Sequence, residues 1–200
     1  MIAFISGGAR SGKSTYAELL ARRWQDKRGG KRYYLATASN GAENGDKEDA
    51  RDSEMQARIA RHRQMRGDDW ITLEAPIDLL AALDSVEPGS TLLLDCLTLW
   101  ASQWLYASSP STSPSFSSPR NESQGLAMIE QLLAQARQQD IALVIVSNDI
   151  NEGMPPENDE VWRYLAFLQR MHCRVAHAAD EVVQVVAGLP QVWKTHGGAS

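Results

Sequence analysis

"GGARSGKST", Gly7 to Thr15, follows only six residues, "MIAFIS". Its spacing is G-x-x-x-x-G-K-S, the P-loop pattern. Gly7, Gly8 and Gly12 allow backbone angles that a side chain would forbid. The N–H groups along Gly7, Gly8, Ala9, Arg10, Ser11, Gly12, Lys13, Ser14 and Thr15 can therefore turn inward around phosphate oxygens. Lys13 is spaced to reach β- and γ-phosphates, Ser14 to offer its hydroxyl to Mg2+, and the helix beginning there directs its positive dipole end at the same charge. The flanks agree: "IAFIS" reads as a short buried strand, and "SGKSTYAELLARRW" as an amphipathic helix with Tyr16, Leu19, Leu20 and Trp24 toward one face. Strand, glycine turn and helix together set the motif apart from a chance glycine-rich turn.

Composition bounds what surrounds the loop. A chain of 200 residues that is 43% hydrophobic makes one domain with a sizeable core. A net charge of −5 argues against a surface built to coat nucleic acid, which relies on accumulated Lys and Arg, and leaves small anionic ligands open. No segment approaches the roughly 18 apolar residues of a membrane span, and no charged stretch with a long apolar run opens the chain, so a cytoplasmic location is expected. Cys96 and Cys173 stand far apart without a C-x-x-C, which predicts two buried free thiols and neither a disulfide framework nor a thiolate metal site.

Apolar β-rich runs alternate with helical patterns along the chain, the signature of a mostly parallel sheet flanked by helices. Strands are predicted at 2–6, 32–38, 70–75, 90–95, 141–147, 181–187 and 190–194, and helices near 13–28, 52–66, 77–84, 96–106, 122–139 and 158–178. Too few residues join the last two strands for a crossover, so they are expected to form an antiparallel hairpin at the sheet edge. Two polar stretches interrupt the alternation. "SNGAENGDKEDARD" (39–52) reads as a loop, and the Ser/Pro-rich "SSPSTSPSFSSPRNESQ" (108–124) as a disordered insertion, or else a lid or subunit contact.

Ligands of such sheets lie outside the carboxyl ends of the strands, which here carry the P-loop, Thr37, Glu74, Asp95, Asn148 and Asp149. Asp95 closes the run "LLLD" and suits a magnesium-organising carboxylate beside a P-loop, although a strand-terminal Asp can also cap the next helix. In "DSEMQARIARHRQMR" (52–66), Met55, Ile59 and His62 fall within about 60° on a helical wheel, so His62 lies on the apolar side. Arg58, Arg61, Arg63 and Arg66 gather positive charge around it, a place suited to polyphosphate. Spacing alone equally allows a core histidine on a helix whose arginines are solvated.

Six stretches carry a resemblance that changes this balance: "GGARSGKS", "YLATA" (34–38), "DSEMQARIARHR" (52–63), "LLLDCLT" (92–98), "VSNDINEGMPPEN" (146–158) and "AADEVVQVVAG" (178–188). In this order and combination the sequence resembles the bifunctional adenosylcobinamide kinase/adenosylcobinamide-phosphate guanylyltransferase family of cobalamin biosynthesis. The resemblance implies a RecA-like P-loop NTPase fold, a homotrimer, and ATP or GTP and a corrinoid as substrates. It implies two reactions: phosphorylation of an alcohol on adenosylcobinamide, then transfer of GMP from GTP. It places the second reaction's nucleophile at His62, which would carry a covalent guanylyl group, with Arg58, Arg61 and Arg63 to balance the departing pyrophosphate. It sets the nucleotide against Ala36, Thr37 and Ala38, and against Glu74, whose carboxylate could accept from guanine or be a plain surface group.

The chain departs from the family pattern twice. "NDIN" (148–151) stands where N-E-V-G is usual, and His172-Cys173 where the last long helix usually carries Asn-Gln. Both fall where substrate or supporting contacts are expected, so either activity could be retuned. His172 and His177 are five apart, on different helix faces, which argues against a metal pair, and His196 sits in a Gly-rich tail. Two other readings fit the motif: a single-activity P-loop kinase for another small alcohol, with His62 structural, and a nucleotide-binding protein without turnover.

Overall fold

The computed structural model describes residues 1–38, 69–106, 120–150 and 158–195. The predicted helix 52–66, with Arg58, Arg61, His62, Arg63 and Arg66, lies outside the described residues, as do the 39–52 loop, Asn151, His196 and all but the last five residues of the Ser/Pro-rich stretch. The described strands are β1 (Ile2–Gly7), β2 (Arg32–Ala36), β3 (Ile71–Glu74), β4 (Thr91–Asp95), β5 (Ala142–Asn148), β6 (Glu181–Val186) and β7 (Leu189–Lys194). The helices are α1 (Lys13–Arg28), α2 (Leu79–Leu83), α3 (Leu97–Tyr106), α4 (Glu122–Gln138) and α5 (Asp159–Ala178).

The strands form a single sheet in the order β3-β2-β4-β5-β1-β6-β7. Every pairing is parallel except β6 with β7, as the alternation of strand and helix requires. The two-residue turn of that hairpin, Ala187 and Gly188, has φ of 51° and 82°, the positive pair that matches strand twist in a tight hairpin. Pro190 lacks an N–H and is tolerated because β7 is an edge strand.

Strands in the middle of the sheet are apolar on both faces because both faces are covered. On one side α1 packs Ala17, Leu20, Ala21 and Trp24 against Ile5, Leu93, Val144 and Val146. On the other, α2 to α5 enclose a larger core of Phe4, Leu92, Leu94, Ile145, Trp100, Ile129, Phe167 and Met171. The buried stripe of α1 differs from the predicted one: Leu19 is 58% exposed, and small Ala17 and Ala21 take the inward positions where the helix lies close on the sheet. The predicted insertion also ends earlier than expected. Asn121 and Gln124 exchange hydrogen bonds as a capping box that starts α4, so Arg120 to Gln124 belong to the helix entry.

Candidate active site

The loop between β1 and α1 has the geometry of an anion cradle. Gly12 caps α1 in the left-handed region at φ 90°, no side chain caps the helix, and its first turn holds no acidic residue. The positive end of the dipole is thus left to a ligand. Gly7 is required by contact as well as by conformation: a Cβ there would stand 2.4 Å from the Val185 carbonyl oxygen. The β6–β7 turn braces the loop through a 2.8 Å hydrogen bond from Gly188 N–H to the Ser11 carbonyl. Lys13 is 6% exposed, and its Nζ donates to the Gly8 carbonyl at 3.0 Å, so the ammonium is folded over the loop it serves. The buried Ser11 hydroxyl has no hydrogen-bond partner among the described residues. An unsatisfied buried donor costs about 1–3 kcal/mol, which an incoming phosphate oxygen would relieve. Ser14 is half-buried, and Ala9, Arg10 and Thr15 are exposed around the rim.

Register places the other candidates in one row along the carboxyl edge. Glu74 pairs with Ala36, Ala36 with Asp95, Asp95 with Val146, and Val146 with Ile5. At about 4.8 Å per strand, Asp95 lies roughly 10 Å from the strand that feeds the P-loop, and Glu74 roughly 19 Å from it. Asp95 and the cradle therefore share the centre of the edge, while exposed Glu74 stands at its end. Alternation puts Asp95 on the same face as Leu93, the α1 face. Its Oδ2 accepts from the Tyr34 hydroxyl at 3.0 Å.

Thr37 is fully buried and its hydroxyl is already engaged: it accepts from Cys96 N–H and donates to the Cys96 carbonyl, both at 2.9 Å. It holds the turn after Asp95 in place. Ala36 and Ala38 are half-buried beside it. The thiol of Cys96 is pushed up to about 11 by burial first and by Asp95 second, which keeps it neutral. Cys173, expected to be buried, is exposed on α5.

On the opposite face a neutral polar chain backs the same strand ends. His172 Nε2 lies 2.7 Å from Ser147 Oγ, Ser147 Oγ 2.9 Å from Thr98 Oγ1, and Thr98 Oγ1 accepts from Asn148 N–H at 2.6 Å. Tyr164 on α5 donates to the Thr98 carbonyl at 2.9 Å. Burial lowers the His172 pKa to about 4, against a smaller opposing pull from Asp149. The ring is therefore neutral at pH 7, and packs against Phe4 with centroids 5.2 Å apart. Asp149, the other departure from the family pattern among the described residues, donates its N–H to the Gly7 carbonyl at 2.9 Å and accepts from Gln184 Nε2 at 3.1 Å. Both departures thus brace the loop and strand ends from behind.

The profile of the cobinamide kinase / cobinamide phosphate guanyltransferase family matches residues 3–192. The bifunctional adenosylcobalamin biosynthesis protein CobP of Pseudomonas aeruginosa is 36% identical over 191 residues, covering 95% of each chain. The chain belongs to this family. Its members join a kinase to a nucleotidyltransferase, and the chain is an enzyme of both kinds. The bifunctional adenosylcobalamin biosynthesis protein CobU of Escherichia coli is 30% identical over 192 residues, 94% of this chain and 97% of that one. Among solved structures, an ATPase domain superposes with a TM-score of 0.52 at 12% identity, over 99% of this chain and 78% of that one. That likeness supports the P-loop NTPase fold alone.

Sequence reasoning missed Tyr34, Thr98 and Ser147. Tyr34 is concealed in an apolar strand, and the other two are ordinary small polar residues whose pairing depends on which strands adjoin. For Tyr34 the sequence offers only half a signal, a phenol two residues before a small Ala at a strand end; that Asp95 stands beside that Ala is a matter of register.

Proposed function

We propose that this enzyme phosphorylates adenosylcobinamide with ATP or GTP and then transfers GMP from GTP to the product, giving adenosylcobinamide-GDP. The observation that carries the reading is the juxtaposition of the cradle, Lys13 and Asp95 at the centre of one sheet edge, in a chain matched by the family over residues 3–192. In the first step the substrate hydroxyl attacks the γ-phosphorus, the bond to the β–γ bridging oxygen breaks, the nucleoside diphosphate leaves and the hydroxyl proton is released. The loop N–H groups and Lys13 balance charge on the transferred group and fix its direction. A half-exposed carboxylate at Asp95 and a hydroxyl at Ser14 are hard oxygen donors of the kind Mg2+ takes alongside phosphate oxygens and water. Mg2+ bound there would neutralise the β- and γ-oxygens.

In the second step the His62 imidazole is the nucleophile. Its nitrogen attacks the α-phosphorus of GTP, pyrophosphate departs beside Arg58 and Arg63, and a guanylyl-histidine forms as the ring gives up its proton. A phosphate oxygen of phosphorylated adenosylcobinamide then displaces the histidine. A neutral imidazole suits both halves, being nucleophilic near pH 7 and a good leaving group once phosphorylated. Ala36, Thr37, Ala38 and Glu74 are the proposed nucleotide contacts on the β2–β3 side, with Glu74 reading guanine. The substrates and the two free cysteines support a cytoplasmic setting. The resemblance supports a single domain assembling as a homotrimer, which light scattering would read as three times 22.1 kDa.

Incubation with GTP labelled at the α-phosphate is the test. An acid-labile, alkali-stable protein adduct that disappears in His62→Asn is expected, and wild-type protein without an adduct overturns the guanylyl-transfer step. Phosphorylation of adenosylcobinamide is measured separately. If phosphorylation and GMP transfer both persist without any adduct, GMP passes directly to the acceptor and His62 is not the nucleophile.

A further inference from the structure

We infer that Tyr34 is a positioning residue for the magnesium-dependent chemistry: its hydroxyl holds one oxygen of Asp95 and so fixes how the carboxylate is presented to the cation. The inference rests on Asp95 being the magnesium carboxylate, as proposed above. Tyr34 and Ala36 share the α1 face of β2, where they stand beside Leu93 and Asp95 of β4. Ala36 is the direct neighbour of Asp95 and is too small to fill the space above the strand, so the ring of Tyr34, one pleat back, reaches forward to Asp95 Oδ2 at 3.0 Å. A carboxylate free to turn about χ1 and χ2 would otherwise sample several orientations at a half-exposed strand end.

The donor itself has little freedom. Tyr34 is 7% exposed and meets Trp70 edge-to-face, with centroids 6.4 Å apart and planes at 87°. Trp70 is 8% exposed and carries the Arg32 guanidinium 5.5 Å from its ring centroid. The phenol is thus set by packing before any ligand arrives, which is how a supporting residue preorganises a metal ligand. A phenol donates one hydrogen and Asp95 has two oxygens with several lone pairs, so the contact occupies part of the carboxylate and leaves acceptor capacity for a cation.

The experiment is a calorimetric titration of Mg2+ into wild type, Tyr34→Phe and Asp95→Asn, each with a non-hydrolysable GTP analogue bound. Phenylalanine keeps the ring and its packing and deletes only the hydroxyl. Loss of a supporting hydrogen bond costs about tenfold or more in metal affinity. The expected result is therefore an Mg2+ dissociation constant raised about tenfold in Tyr34→Phe, with metal-free binding of the analogue unchanged. An Mg2+ affinity within about twofold of wild type in Tyr34→Phe, while Asp95→Asn abolishes binding, overturns the role of Tyr34 and leaves the reading of Asp95 standing. Equal weakening of the analogue with and without metal also overturns it, because that marks general damage to the pocket. Wild-type Mg2+ affinity in Asp95→Asn removes the reading of Asp95 and the inference with it. Should Tyr34→Phe be insoluble, Tyr34→His, which retains a ring and a donor, takes its place and is expected to fall between wild type and Asp95→Asn.

Discussion

The two faces of the sheet finish the same strand ends with opposite chemistry. On the α1 face the ends carry charged groups, Lys13 and Asp95, close to a loop whose Ser11 hydroxyl has no partner among the described residues. On the α3–α5 face they carry neutral groups, His172, Ser147 and Thr98, which satisfy one another and the Asn148 N–H. Unmet polar capacity belongs where a ligand will supply the partner, because only there is the desolvation cost recovered. Fully met capacity belongs behind the site, where hydrogen bonds fix the backbone and a charge would only be penalised by burial. Substitutions on the first face should therefore reduce activity and spare stability, and those on the second should do the reverse.

The largest effect is expected at Lys13. In Lys13→Ala the ammonium that balances charge on the transferred phosphoryl group is gone, and kcat of the kinase step should fall about 100–1,000-fold. Melting temperature should hardly move, since a desolvated ammonium contributes little net folding free energy. Kinase assays and thermal denaturation on the same preparation check this. A variant that loses less than about tenfold in kcat, or that unfolds well below wild type, would break the contrast between the faces.

Ser147→Ala probes the other side. The side chain is fully buried between His172 and Thr98, and its removal strips a partner from both without making a cavity of any size. Leaving buried polar groups unsatisfied costs about 1–3 kcal/mol. For a chain of this length each kcal/mol moves the melting temperature by roughly 2–4 °C, so a fall of about 2–12 °C is expected. Turnover at a temperature where the variant is folded should stay within about threefold of wild type. A large loss of turnover with an unchanged melting temperature would move the chain from scaffold to chemistry.

What could be read without coordinates divides along a similar line. The P-loop was legible because its glycines, Lys13 and Ser14 act through local backbone geometry, and the parallel sheet because both-sided burial leaves uninterrupted apolar runs. Asp95 was legible as the polar end of such a run. The helix from 122 was legible too, but its capping box was not: the serines and prolines before Asn121 extended the low-complexity reading through Gln124 and over the helix entry. Tyr34 and Ser147 depend on register and strand order: nothing local states that Ala36 stands beside Asp95, or that Ser147 faces His172 across β5 and α5. His172 itself was singled out as a departure from a family pattern and weighed against a metal pair with His177, and its neutral, hydrogen-bonded role emerges from its surroundings.

That role sets the smallest of the expected effects, a difference in pH dependence. In the unfolded chain an imidazole takes up its proton near pH 6.5. In the folded protein burial holds His172 neutral down to about pH 4. Between those values the unfolded chain binds more protons, so stability falls as pH falls through the window. Above about 6.5 neither state is protonated and the contribution is intact, and below about 4 both are and no further loss comes from this group. His172→Asn restores the residue usual in the family and cannot be protonated. Its stability should decline less steeply than that of wild type from pH 6.5 to 4, by at most about 1.4 kcal/mol per pH unit. Carboxylates titrating at the acid end contribute to both proteins and cancel in the difference. Parallel melting-temperature curves for the two across this range would show that the ring accepts its proton while folded, and that the back of the site can carry charge after all.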